Sequence, residues 1–217
     1  MLPLLIFDYD GTIHNTVKIY EPAVRAVHDW LKENGHCPPP DLTSDRIKGW
    51  LGMNYKEMWE DFMPGLSKEV RDEAARRVGD FMVNEIEAHN AEWYPGVEEV
   101  LERLLRVGFP MVVLSNCKIS YKQANRKEFD IDKYFLDFVD CETFDFAPKT
   151  EIIQKMNRTT NDIIVIGDRK SDLDCARAGR GRFIGCTYGY APTGELEGAD
   201  DLIDDISELP KILLKYI

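Results

Sequence analysis

Four short stretches hold the side chains with the most chemical potential: Asp8-Tyr9-Asp10-Gly11-Thr12, Ser115-Asn116, Lys149, and Gly167-Asp168 followed by Asp172. Clustered carboxylate oxygens with no His or Cys among them suit Mg²⁺, a hard cation that takes one or two carboxylates together with phosphate and water. The ammonium of Lys149 and backbone N–H groups would hold a dianionic phosphoryl group that acidic side chains alone repel. With the cation screening that repulsion, an Asp can attack phosphorus. A second carboxylate two residues on points to another side of the loop and can deliver a proton to the leaving oxygen. Cys117 follows Ser115-Asn116 without a neighbouring His to activate it, so a thiol nucleophile is not expected.

The elements around these residues give them a common location. Short apolar runs at Leu4–Phe7, Met111–Leu114, Phe138–Cys141, Ile163–Ile166, Phe183–Cys186 and Asp201–Ile203 alternate with helical patterns. That alternation predicts an α/β fold, a Rossmann-like, three-layer core built on a parallel sheet. The runs are nearly continuous in apolar residues, as strands covered on both faces require. Ligands bind such sheets beyond the carboxyl ends of the strands, where Asp8, Ser115 and Asp168 all fall. Helices are predicted from Val97 to a stop at Gly108, over Lys149–Asn157, over Ser171–Ala178 and from Ile206 to the end.

Between the first and second strands the rhythm breaks. Val17, Tyr20, Val24, Val27 and Leu31 keep helical spacing until Gly35 and Pro38-Pro39-Pro40, and Val70, Ala74, Val78, Phe81 and Ile86 make a second stripe after Ser67, a suitable N-cap. So long a helical block exceeds an ordinary crossover and reads as an inserted all-helical cap domain, 16–91, on a core of 1–15 and 92–217. It is expected to cover the site and exclude water, with hinges near Asn15 and Glu92. Arg46, Lys48 and Asn54 lie in a Gly-flexed segment expected to reach toward the leaving group; cap core for Trp50 and Leu51 and a solvated face for the cations is the competing reading. His14, beside the first loop, reads as a substrate contact or as hinge packing.

Asp-x-Asp alone is weak evidence, since Asp130–Asp132 and Asp172–Asp174 match it too. Those two are expected at the surface or in caps, with Ser171-x-x-Asp174 reading as a capping box. Asp8 and Asp10 differ because they abut a buried strand, where an unpaired charge costs several kcal/mol. Arg169 and Lys170, beside the metal motif, read as exposed, solubilising charges in preference to extra phosphate contacts.

Composition excludes several function classes. The chain has 217 residues, 44% hydrophobic and 30% charged, which is ample for a core. Asp plus Glu number 39 against 27 Lys plus Arg, a formal charge of −12 that disfavours nucleic acid. Five dispersed cysteines without a CxxC pair read as reduced thiols, not a disulfide frame or zinc site. The apolar opening is too short to span a bilayer and lacks a basic lead-in, so no membrane association and a cytoplasmic location are expected.

The string Phe7-Asp8-Tyr9-Asp10-Gly11-Thr12-Ile13, with Ser115-Asn116, Lys149 and Gly167-Asp168-x-x-x-Asp172, resembles the haloacid dehalogenase superfamily of phosphohydrolases. Tyr94-Pro95-Gly96-Val97 and the helical block resemble its phosphoglycolate phosphatase-like branch. The resemblance implies a Mg²⁺-dependent phosphatase in which Asp8 is the nucleophile forming an aspartyl-phosphate. Asp10 is then general acid and base, with its carbonyl on the metal. It further implies that Thr12 orients the loop and counts with Ser115, Asn116 and Lys149 as the phosphate-binding set, while Asp168 ligates the metal, with Asp172 as second ligand or outer partner. Asn15 departs from the family pattern, where Asp is usual, and Lys149 follows Pro148 instead of preceding a proline. The presence of Asp10 disfavours dehalogenation. A small phosphorylated metabolite is the implied partner, with phosphoglycolate, a nucleotide, pyrophosphate and a sugar phosphate all compatible, and the oligomeric state left open. A phosphosugar mutase and a non-catalytic binding protein are the rival readings.

Overall fold

The computed structural model describes residues 2–53, 55–156 and 162–217. The chain divides into two compact units, Met1–Asn15 with Trp93–Ile217, and Thr16–Glu92. Strand β1 (Leu4–Phe7) comes first and all four of its residues are buried.

The second unit is helical throughout its described elements: α1 (Val17–Glu33), α2 (Ser44–Trp50), α3 (Tyr55–Phe62) and α4 (Lys68–Glu87). Ile19, Tyr20, Ala23, Val24, Val27 and Leu31 put one apolar stripe of α1 into the unit's core, and α1 packs along α4. Asn34 closes α1 by donating from Nδ2 to the Trp30 carbonyl, and Gly35 then takes a left-handed turn at φ 80°. The hydroxyls of Thr43 and Ser67 accept from Arg46 N and Val70 N at the starts of α2 and α4. An aromatic cluster fills the remaining space, with Phe62 lying 5.1 Å from Trp50 and 5.6 Å from Trp59, ring centre to ring centre.

The first unit carries α5 (Val97–Val107), β2 (Met111–Ser115), α6 (Ile119–Glu128), β3 (Asp137–Asp140) and α7 (Lys149–Lys155). It continues with β4 (Ile163–Gly167), α8 (Lys170–Ala178), β5 (Arg182–Cys186), β6 (Asp201–Ile203) and α9 (Leu209–Leu213). The six strands form one sheet in the order β3-β2-β1-β4-β5-β6, every pair parallel. Leu4 and Ile6 turn to one face, where they meet Val112, Leu114, Val165 and the apolar sides of α7 and α8. On the opposite face Phe7 meets Phe135 edge to face, at 5.7 Å. Burial on both faces accounts for the unbroken apolar runs.

Several boundaries differ from expectation. The third strand starts one residue early, at Asp137, because Asp137–Asp140 pair with Val112–Ser115. The segment after Ile206 is broken into a 3₁₀ turn, the short α9 and a second 3₁₀ turn. Helix α7 ends at Lys155, and Asn157 lies outside the described residues. Helix α6 has no counterpart in the periodicity reading, since it buries only Tyr121 and Asn125 and, apart from Ile119 and Ala124, the rest of it is polar. Among the described residues no helix is long and apolar enough to cross a membrane.

Candidate active site

Strand β1 lies between β2 and β4, where the order of strands reverses, so loops leaving the carboxyl ends of β1 and β4 diverge and open a crevice. Asp8 enters that edge directly from β1, with its N–H still bonded to the Ile166 carbonyl at 2.8 Å. The chain then turns sharply, Ile13 N and His14 N both donating to the Tyr9 carbonyl at 2.9 Å. Gly11 makes the turn at φ 88°, and a Cβ there would fall 2.3 Å from Asp168 Oδ2. Only glycine meets both the backbone and the spatial demand.

Around Asp8 the elements deliver three more buried charges. Lys149, at the first position of α7, places Nζ 2.6 Å from Asp8 Oδ1 and 2.7 Å from Asp172 Oδ1. Asp168 leaves β4 and is fully buried; its Oδ2 accepts from Tyr190 N at 2.6 Å and its Oδ1 faces Thr12 Oγ1 at 3.4 Å. Asp172 also accepts from Arg169 N at 3.1 Å, so this carboxylate, not Asp174, caps α8. Asp174 instead pairs with Lys170 at the surface, which corrects the expected Ser171–Asp174 box: the helix begins one residue earlier than its apolar pattern indicates.

Asp10 is partly exposed and projects to another side of the loop from Asp8. Its Oδ1 accepts from Tyr121 Oη at 2.6 Å and its Oδ2 faces the buried Ser115 hydroxyl at 3.4 Å. Asn116 is exposed beside Ser115, and Thr12 directs its hydroxyl toward Asp168. His14 is buried in this unit, stacked on Tyr9 with ring centres 5.3 Å apart. Burial pushes the Cys117 thiol well above its usual range, which keeps it protonated and inert.

Within the helical unit, Arg46 donates to the Asp61 carbonyl at 2.9 Å and lies over the Trp50 ring at 5.4 Å. Lys48 is exposed, and Asn54 lies outside the described residues. Arg169 corrects an expectation of exposure. It is buried, with Nε 2.8 Å from Glu195 Oε1, and the same carboxylate oxygen accepts Lys170 N at the positive end of α8. Periodicity also misses Tyr121, Glu195 and the Tyr188-Gly189-Tyr190 turn that grips Asp168. The available signal was position, because the turn follows β5 at the same sheet edge as the other site loops.

Burial, helped by the Asp172 charge, pushes the Asp8 carboxyl up to about 7 against the pull of Lys149. Burial, then the charges of Asp8 and Asp172, hold Asp168 well above the usual range. Burial alone would lower the Lys149 ammonium, but Asp172 and Asp8 keep it above its normal value. One ammonium, bonded to Asp8 and Asp172, thus stands among three buried carboxylates, and ionising all three would leave surplus negative charge. Asp8, Asp168 and Asp172 each offer an oxygen within 4.8 Å of the others, with no thiolate or imidazole in the set. That donor chemistry fits a hard divalent cation such as Mg²⁺.

A doubly wound parallel sheet with a buried acidic cluster at its switch point defines a Rossmann-like α/β protein with a candidate catalytic edge. The chain belongs to the haloacid dehalogenase-like hydrolase family, whose model matches residues 5–186. It is 26% identical to the phosphoglycolate phosphatase of Psychrobacter arcticus, covering 98% of this chain and 96% of that protein. It is 25% identical to phosphoglycolate phosphatase 1 of Pseudomonas aeruginosa, over 97% and 82% respectively. Its fold is similar to that of a haloacid dehalogenase-like hydrolase from Streptococcus pneumoniae, with TM-score 0.77 and 21% identity, covering 97% of this chain and 98% of that one.

Proposed function

We propose that this hydrolase is a phosphatase that cleaves small phosphomonoesters with Asp8 as nucleophile. The observation that carries the reading is the clustering of the buried Asp8, Asp168 and Asp172 carboxylates at the switch point of the sheet, with the Lys149 ammonium bonded to Asp8 and Asp172. The carboxylates of Asp8, Asp168 and Asp172, with the Asp10 carbonyl, would hold Mg²⁺. When bound, that ion supplies charge neutralisation for the phosphoryl oxygens.

The chain's own residues do the rest. Lys149 steadies the Asp8 carboxylate and offers positive charge to the incoming phosphoryl group. An Asp8 oxygen forms a bond to phosphorus while the bond to the leaving oxygen breaks, and Asp10 gives that oxygen its proton. In the second half, Asp10 takes a proton from water as the water oxygen attacks phosphorus, releasing inorganic phosphate and restoring Asp8. Ser115, Asn116 and Thr12 complete the phosphate-side wall.

The names of the two phosphoglycolate phosphatases make 2-phosphoglycolate the first substrate to test. Asp8→Asn should abolish phosphate release from 2-phosphoglycolate and from aryl phosphates, and activity that survives the change refutes the nucleophile assignment. Free phosphate released without an added bisphosphate separates this reading from a phosphosugar mutase. No turnover on a broad phosphate panel, with or without Mg²⁺, would leave a binding role.

A further inference from the structure

Behind Asp10 lies a buried polar network that the phosphoryl chemistry above does not use. Tyr121, on α6, donates its hydroxyl to Asp10 Oδ1 at 2.6 Å, and the same hydroxyl oxygen lies 2.9 Å from His14 Nδ1. A phenol has one proton. Since it is given to Asp10, the contact with His14 requires Nδ1–H to donate to the tyrosine oxygen, a directed chain from His14 through Tyr121 to Asp10. The chain is held from every side. His14 stacks on Tyr9, Tyr9 Oη donates to Asn125 Oδ1 at 2.9 Å, Trp93 Nε1 donates to Tyr9 Oη at 3.1 Å, and Asn125 Nδ2 donates to the Tyr121 carbonyl at 3.0 Å. Interlocked buried bonds of this kind allow little rotation of either ring.

We propose that Tyr121 and His14 are positioning residues for Asp10 in its general-acid step. The inference rests on the reading of Asp10 as leaving-group acid. Tyr121 donates to Oδ1 from the α6 side, which disfavours a proton on that oxygen and leaves the transferable proton to Oδ2, the oxygen that faces Ser115. In the step itself the Oδ2–H bond breaks, its proton goes to the leaving oxygen, and the electron pair of the broken P–O bond stays on that oxygen. The hydroxyl of Tyr121 keeps its own proton throughout. Its contribution is to fix the angle at which Asp10 presents Oδ2, and His14 fixes the hydroxyl.

A general acid matters most when the leaving oxygen is basic, which gives a readout a merely structural residue would not move. The test compares kcat/KM for phenyl phosphate and for 2,4-dinitrophenyl phosphate, whose leaving group needs little protonation, in the Mg²⁺-loaded full-length protein. Tyr121→Phe keeps the ring and removes the hydroxyl, and should lower the phenyl-to-dinitrophenyl ratio about tenfold or more. Asp10→Asn, the control for the parent reading, should lower it further. A ratio unchanged in Tyr121→Phe but lowered in Asp10→Asn overturns the positioning role and leaves the acid in place. A ratio unchanged in Asp10→Asn removes the acid, and the inference with it. Should Tyr121→Phe fail to fold, His14→Asn, whose amide retains a donor near Nδ1, should hold the ratio within about threefold, and His14→Leu should lower it. Equal ratios in those two variants overturn the proposal.

Discussion

Gly189 stands so close to Asp168 that a Cβ on it would fall 2.3 Å from the Asp168 Cβ and 2.4 Å from its Oδ2. The turn beyond β5 is thus shaped to the carboxylate: glycine admits the side chain, and the next residue, Tyr190, holds its Oδ2 through the backbone N–H. Gly189→Ala must displace Asp168 or the turn. We expect a loss of about 1–3 kcal/mol in urea denaturation, the usual range for overpacking. The Mg²⁺ concentration for half-maximal activity should rise about 10–100-fold, as when a ligand loses its orientation. Unchanged stability and unchanged metal dependence would show that the turn has slack.

Lys149 is the cation that makes Asp8 and Asp172 tolerable in a buried place. Replacing it with Met leaves both carboxylates without that partner, and breaking a buried pair in this way typically costs about 3–5 kcal/mol. In chelator at pH 7 the variant should denature at correspondingly lower urea, and Mg²⁺ should restore more stability to it than to the parent protein. Activity should fall at least 100-fold. Parent-like urea midpoints in chelator would contradict the pairing.

The raised Asp8 carboxyl makes stability pH-dependent in a defined direction. Its folded value of about 7 exceeds the ordinary 3.8, so between those values the folded state binds more protons than the unfolded one. Stability of the metal-free protein therefore decreases as pH rises from about 4 to about 7, by up to about 1.4 kcal/mol per pH unit for one such group. Asp168, shifted the same way, steepens the fall. Carboxylates held low, such as Asp140 and Asp200, act below this window. Urea midpoints measured in chelator across that range should fall, and Asp8→Asn should flatten the slope. A midpoint rising with pH would show that Asp8 is ionised throughout.

Asp172 has two structural partners, Arg169 N at the start of α8 and Lys149 Nζ. Asp172→Asn keeps an oxygen able to accept from the helix N-terminus but removes the charge. Helix content by circular dichroism should be unchanged, while the Mg²⁺ requirement for activity rises about 10–100-fold. An unaltered requirement would place Asp172 outside the metal's influence and restrict it to capping.

The parallel core was legible because a strand covered on both faces must be apolar along its length, and the runs ending at Phe7 and Ile166 show it without help from context. The first residues beyond each run then mark the sheet edge, which is how Asp8 and Asp168 stand out among 39 acidic residues and how Ser115 joins them. Helix α6 was not legible, because a helix that buries only Tyr121 and Asn125 has almost no apolar period. Arg169 was misread because local sequence carries no trace of Glu195 arriving from a distant turn.

What the linear order of residues determined, then, was the sheet, the helical insertion and the identity of the acidic groups, since these follow from local periodicity and from chain position at strand ends. Tertiary structure alone decided which charges meet. Lys149 lies 141 positions from Asp8, and Tyr121 lies 111 from Asp10. Such pairings depend on strand order and on the angle at which each loop leaves the sheet, quantities set by packing across the whole core.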